Sequence, residues 1–178
     1  MNIVGIDPGL SGGVALVGDG ALQMAVDMPV LGGEIDIDEL CELLNMSKPD
    51  VVVVETVHAM PKQGVSSTFN FGLSTGMVLG TIRSLRHPLV RMRPIDWKRA
   101  NGLVGQDKTA SRRLAQELWP DMADLFKLVR HDGRAEAALI ARAYQFRMIH
   151  QANKEGADAR DAHRDAMAGG PRQDQTAR

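Results

Sequence analysis

Two short apolar runs constrain this chain more than any other feature. Asn2-Ile3-Val4-Gly5-Ile6 runs into Asp7, and Val51-Val52-Val53-Val54 runs into Glu55. Both read as β-strands. The valine run suits a strand buried on both faces, since four β-branched residues in a row leave no polar side for water. Each run ends in a carboxylate. A charge on such a strand is costly unless it is paired or binds a metal, so each acid needs a partner from elsewhere in the chain.

The first run turns through Pro8-Gly9-Leu10-Ser11-Gly12 and returns as a strand over 13–17. Asp19-Gly20 is a good hairpin turn and leads into a third strand over 21–28, giving an antiparallel three-stranded meander. Residues 36–46 have helical apolar spacing, with acids in the first turn where the helix dipole favours them. This helix ends at Lys48-Pro49-Asp50 and serves as the crossover to the valine strand, which therefore lies parallel in the sheet. Residues 56–65 lack a period and read as a loop.

Ser66 or Ser67 is expected to cap a helix that runs to about Arg86. It carries Gly72, Gly76 and Gly80 at spacing four. Glycine weakens a helix, so the stripe predicts close approach, either by a second copy of the chain or by the protein's own sheet. A strand follows over 89–92, then a short helix over 94–101 with Trp97. Asp107 is expected to cap a helix over 108–119, and 121–128 reads as a further helical turn. A last helix runs from about Arg134 to Asn153. Trp97, Trp119 and Cys41 are expected in the core. The fold class is α/β, a mixed central sheet (antiparallel meander plus parallel strands) with helices on both faces. Residues 1–152 form one domain, and the small, polar stretch 153–178 is expected to be disordered.

The lone cysteine excludes an internal disulfide framework and a cysteine-rich zinc site. No apolar run approaches the roughly 20 residues of a membrane span. No basic segment precedes the first apolar run, so no signal peptide is expected and the location is expected to be cytoplasmic. The net charge of −1 hides an asymmetry. Residues 1–61 hold ten acids and one base, Lys48, whereas 62–150 hold fifteen Lys and Arg against seven acids. A basic half beside an acidic half points to a phosphate-rich partner.

Two more acids stand out. Asp132 and Glu136 are four apart at the start of the last helix and share a face. Glu136 lies in the apolar stretch Ala135-Glu136-Ala137-Ala138-Leu139-Ile140. Asp7, Glu55, Asp132 and Glu136 thus form a candidate cluster of carboxylates. Such a cluster repels itself unless a hard cation neutralises it, and Mg²⁺ takes carboxylates together with water and phosphate oxygens. A pair of such ions, about 3.5–4 Å apart, forms a clamp for in-line attack on a phosphodiester. His58, His87, His150 and His163 have no ligand spacing; His131 is adjacent to Asp132.

The motifs Gly5-Ile6-Asp7-Pro8-Gly9, Glu55 after the valine strand, and HDGRAEAALIA over 131–141 together resemble the RuvC family of Holliday junction resolvases. The stretch MPKQGVSSTFNFG over 60–72 is similar to phage-encoded members, which makes a phage-type protein working in a bacterial cell the expectation. The resemblance covers about residues 1–150. It implies a ribonuclease H-like fold, a homodimer, branched DNA as partner, and paired metal-dependent nicking of four-way junctions. It also implies two Mg²⁺ per active site, with Mn²⁺ as a substitute and no small-molecule cofactor. Asp7 would bridge both ions, Glu55 would hold one, and Asp132 and Glu136 the other. Many bacterial members carry two aspartates three apart where this chain has Asp132 and Glu136, with Gly133 at the three-apart position. Lys108 is a candidate for contact with the scissile phosphate. Lys98, Arg99, Lys108, Arg112 and Arg113 are candidate DNA-backbone contacts, and Phe69 and Phe71 are candidates for stacking on unpaired bases or for internal packing.

Other readings are a nuclease of the same fold acting on flaps or RNA–DNA hybrids, a non-catalytic junction-binding module, and an actin-like nucleotide-binding protein. The last shares the Gly-rich turn but needs a second phosphate loop, and no repeat of the motif occurs. The charge asymmetry yields a prediction. Affinity for junction DNA, measured by fluorescence anisotropy, should fall steeply and linearly in log Kd against log salt, because lysines and arginines displace condensed counterions. A flat response would remove the basic half as the DNA face.

Overall fold

Alternation along the central strands decides which side chains meet. The structure is a computed structural model that describes residues 1–56 and 64–168. Its main sheet has five strands: β1 (Asn2–Asp7), β2 (Gly13–Gly18), β3 (Ala21–Asp27), β6 (Val51–Glu55) and β7 (Leu89–Met92). Their order is β3-β2-β1-β6-β7. β1, β2 and β3 form the antiparallel meander, while β6 runs parallel to β1 and β7 parallel to β6. Between the meander and β6 lie a two-residue hairpin, β4 (Val30–Leu31) with β5 (Glu34–Ile35), and helix α1 (Ile37–Ser47). The hairpin is an addition to the sequence expectation. Gly32 and Gly33 both take positive φ, at 63° and 87°, the backbone that a tight two-residue turn requires.

Side chains on a strand alternate between faces. Val4, Ile6, Val52 and Val54 point to one side, where they form a core with Leu40 and Leu44 of α1 and with Val78 and Ile82 of α2 (Val65–Ser84). Gly5 points to the other side, against α5 (Asp132–Ala168): a Cβ there would collide with the carbonyl oxygen of Ala137 and stand 2.8 Å from the Ala141 nitrogen. Helices therefore cover both faces. By the same alternation, Asp7 and Glu55 belong to the α5 side. The register pairs Ile6 with Val54, so one step further along sets Asp7 beside Glu55.

Several boundaries differ from the sequence expectation. α2 begins at Val65 behind Gly64, and no side chain caps it, so neither Ser66 nor Ser67 serves as the cap. The helix after Asp107 begins only at Ala110 and is labelled α4 (Ala110–Leu118). Asp107 instead closes a local turn, its carboxylate accepting from the Thr109 backbone N–H at 2.7 Å and from the Thr109 hydroxyl at 2.5 Å. α3 (Pro94–Ala100) and the 3₁₀ segment Pro120–Phe126 match the reading. Trp97 and Trp119 are buried, whereas Cys41 is only partly buried. The loop expected over 56–65 lies mostly outside the described residues, as does everything after Ala168.

The glycine stripe on α2 does not pack on the sheet. Among the described residues nothing comes within 4 Å of a Cβ built at Gly72, Gly76 or Gly80. α2 meets the core through Val78 and Ile82, on the opposite face. The close backbone approach occurs at other glycines. A Cβ on Gly133 would collide with Gly12, whose Cα would lie 2.5 Å away, and a Cβ on Gly13 would stand 2.8 Å from the Arg134 nitrogen. The first turn of α5 thus lies directly on the β1–β2 turn.

The chain divides into two units, Met1–Gln145 and the residues from Phe146 onward. The second continues α5 as helix to Ala168, 15 residues beyond the expected end near Asn153. Its sequence is rich in alanine and in charged residues, and Gly156 alone interrupts it before Gly169-Gly170-Pro171. Within it the Gln151 amide donates to Glu155 at 3.0 Å. No helix among the described residues is long and apolar enough to cross a membrane.

The contact at Gly133 sets a prediction for stability. Gly133→Ala forces a methyl into the Gly12 backbone and should cost about 2–3 kcal/mol, the usual scale of overpacking. Urea denaturation monitored by circular dichroism measures this, and an unchanged midpoint would show that α5 does not dock so closely.

Candidate active site

Asp7 ends β1 on the α5 side. One of its oxygens accepts from the Gly9 backbone N–H at 3.3 Å, a long bond that leaves most of its acceptor capacity unused. Burial raises its pKa; the Gly9 N–H and the Lys98 ammonium oppose that without reversing it. Glu55 ends β6. Its Oε1 accepts from the Trp97 indole N–H at 2.7 Å. Its pKa is raised as well, mainly by burial, with the indole opposing and the Asp7 charge adding to it.

Glu136 lies one helical turn into α5, brought to the strand ends by the glycine contact below it. Burial first, and then the charges of Asp7 and Glu55, together lift its pKa to about 7. Three partly buried acids therefore stand within electrostatic range of one another, and no cation among the described residues is hydrogen-bonded to any of them. Asp132 differs. Its Oδ1 accepts from Arg112 Nε at 2.5 Å, and the arginine side chain is only 13% exposed. Arg112 also reaches the Lys127 carbonyl at 3.4 Å.

Lys98 is the cation that acts on Asp7, Glu55 and Glu136 together. Its ammonium sits 5.1 Å from the centre of the Trp97 ring. It shares a cleft of about 320 Å³ with Lys108, Asp132 and Glu136. Among the described residues no three carboxylate or imidazole groups stand close enough to enclose an ion.

The other expected residues fall into distinct places. Lys108, Arg99 and Arg113 are exposed, and Arg99 stands 4.0 Å from Asp96. Arg112, read from sequence as a DNA contact, is engaged internally with Asp132. Phe69 is 67% exposed on the same face of α2 as Gly72, Gly76 and Gly80. Phe71 points the other way, into a groove of about 510 Å³ with Gly9, Leu10, Ser11 and Asn70; its ring would meet a Cβ on Gly9 at 3.7 Å. Phe71 is thus the aromatic beside the Asp7 turn. His131 is buried, and its Nδ1 accepts from the Leu128 N–H at 3.3 Å, which commits it to the local turn.

Sequence reasoning missed two contributors. Trp97 was read as core alone, and its contact with Glu55 spans 42 positions, beyond any local pattern. Gly133 was read as a departure in spacing. The Gly12 contact explains it: an aspartate at 133, three before Glu136, has no room for its Cβ, and the first acid of the pair stands at 132.

No protein-family model and no curated protein matches the chain. Solved structures do. One is Thermus thermophilus RuvC in complex with Holliday junction substrate, at 22% identity and a TM-score of 0.61, covering 82% of this chain and 93% of that one. Another is the Thermus thermophilus RuvC structure, at 21% identity and a TM-score of 0.60, covering 85% and 97%. The yeast mitochondrial Holliday junction resolvase Ydc2 follows at 15% identity and a TM-score of 0.50, covering 80% and 76%. The chain therefore has the fold of RuvC, the ribonuclease H-like α/β fold that the motifs implied.

The raised carboxylates predict how stability depends on pH. Glu136 titrates near 4.5 when unfolded and at about 7 in the metal-free fold. Between those values the folded state holds the extra proton, so stability falls as pH rises from about 4.5 to 7 and is level above. Glu136→Gln should remove much of that fall and raise stability at pH 8 by an amount on the order of 2–3 kcal/mol. Urea midpoints of chelator-treated protein from pH 4.5 to 8 test it. Equal slopes for both proteins would mean that Glu136 is not held in an acid cluster.

Proposed function

We propose that this chain is a structure-selective endonuclease that resolves four-way DNA junctions by divalent-metal-dependent hydrolysis of phosphodiesters. The observation that carries this reading is the set of three partly buried acids, Asp7, Glu55 and Glu136, which no bonded cation among the described residues neutralises. All their donors are hard oxygens, the set that Mg²⁺ and Mn²⁺ prefer over the nitrogen and sulfur sites of zinc or copper. Mg²⁺ keeps several waters and needs only one or two carboxylates for each ion, so a closed cage is unnecessary. Asp7, Glu55 and Glu136 would hold the metal, two ions on the family pattern, and Asp132 would join by exchanging its contact with Arg112. Bound there, the cations would supply Lewis-acid stabilisation of charge at phosphorus and activation of water.

The remaining roles belong to the chain itself. Lys98 and Lys108 line the cleft beside the acids and would receive the phosphate next to the cut. Arg99 and Arg113 would contact the backbone further out and add salt-dependent affinity without sequence information. The Phe71 ring, beside Gly9, would offer a stacking face to a base unpaired at the crossover. Paired incision needs two active sites. The open face of α2, with Val65, Phe69, Gly72 and Gly76 exposed, is the surface we assign to a second copy of the chain. That assignment moves Phe69 from base stacking to the homodimer.

A cleavage assay tests the reading. With Mg²⁺ the protein should cut a four-way junction in preference to a flap, a linear duplex and an RNA–DNA hybrid, and chelation should stop it. Asp7→Asn should lose cleavage and keep junction binding. Preference for flap or hybrid would replace the substrate, and cleavage by Asp7→Asn at the normal rate would exclude the proposed metal site.

A further inference from the structure

Trp97 is fully buried, yet its one polar atom is spent on an acid of the site. The indole N–H donates to Glu55 Oε1 at 2.7 Å. Indole nitrogen is a donor only, so the oxygen it meets must act as the acceptor with one of its two lone pairs, and Oε2 is the carboxylate oxygen left with both lone pairs for a cation. The Lys98 ammonium over the ring, 5.1 Å from its centre, is attracted to the π face and holds that side of the indole beside the cleft.

The main chain of Trp97 is itself braced. The Asn101 amide donates to the Trp97 carbonyl at 2.8 Å and to the Leu139 carbonyl at 3.0 Å, which ties the end of α3 to α5. Arg142 donates to the Asn101 side-chain oxygen at 2.6 Å. The helix that carries Glu136 is therefore also tied, through Asn101, to the backbone of the residue whose indole orients Glu55. Outer partners of this kind set the orientation of a ligating carboxylate, and their loss commonly costs 10–100-fold in metal affinity.

We propose that Trp97 is a positioning residue that restricts Glu55 to metal binding through one oxygen and so favours Mg²⁺ over Ca²⁺. The inference rests on the metal site proposed above. Mg²⁺ demands compact octahedral geometry, which a carboxylate satisfies through one oxygen, whereas Ca²⁺ accepts carboxylates through both. A Glu55 freed from the indole could turn both oxygens to the ion, which suits the larger cation.

Isothermal titration of metal-free, full-length protein with MgCl₂ and with CaCl₂ gives the test. Trp97→Phe should weaken Mg²⁺ binding by about 10–100-fold and change Ca²⁺ binding by less than a factor of about 3. Equal losses for both ions, or none, would overturn the inference. The wild-type protein supplies a second measurement that does not depend on folding of the variant. Its two tryptophans give two indole N–H resonances, and Trp119 donates only weakly, to Gly20 at 3.4 Å. Mg²⁺ should shift the Trp97 signal and leave that of Trp119 in place, and Glu55→Gln should shift the Trp97 signal without metal. Amide shifts at Gly9 on adding Mg²⁺ with an unmoved Trp97 indole would overturn the inference and leave the metal site standing. No Mg²⁺-dependent change anywhere would overturn both.

Discussion

The backbone of α5 rests on the backbone of the β1–β2 turn, and the site depends on that contact. Gly5, Gly13 and Gly133 have no side chains to hold the two layers apart, and a Cβ at any of them would collide with, or crowd, a main-chain atom opposite, while a Cβ on Gly12 would collide with the Asp7 main chain within the turn itself. Ordinary helix-on-sheet packing keeps side chains between the layers. Here their absence lowers the first turn of α5 until Glu136 comes within electrostatic range of Asp7 and Glu55. The same contact fixes the spacing of the acids on α5, since position 133 cannot carry a side chain.

Bringing acids together has a cost that the fold does not remove. Burial raises the pKa of all three carboxylates, the Asp7 charge adds to the rise at Glu55, and the charges of Asp7 and Glu55 add to it at Glu136. Lys98 offsets part of this from the cleft, and the Gly9 N–H and the Trp97 indole each stabilise one carboxylate. Asp132 stands apart, because Arg112 already pairs with it. Such a set is poorly stabilised as it stands and well suited to a divalent cation. Strongly perturbed acids that converge on a cleft also mark functional sites in general.

Much of this was legible in the residues. An acid at the end of an apolar strand is a local anomaly, and Asp7 and Glu55 announced themselves in that way. Continuous apolar runs placed the central strands, because β1, β2 and β6 are buried on both faces, and helical apolar spacing placed α1 and the start of α5. The glycines were read less well. Spacing of four made Gly72, Gly76 and Gly80 look like the close-contact set, while the true contacts sit at Gly5, Gly12, Gly13 and Gly133, scattered over three elements with no shared period. Long-range polar pairs were invisible for the same reason: Trp97 with Glu55 and Arg112 with Asp132 are products of topology. The helix beyond Asn153 was missed because its composition is polar, although alanine and charged residues favour a helix without any core.

The most direct test of the central claim is the position of a bound cation. Crystals grown with Mn²⁺ and measured at its absorption edge should show an anomalous peak bounded by the carboxylates of Asp7, Glu55 and Glu136, with Glu55 contributing one oxygen. A map with no peak among these three residues, or with Mn²⁺ bound only elsewhere on the surface, would contradict the claim that the docking of α5 on the β1–β2 turn builds a metal site.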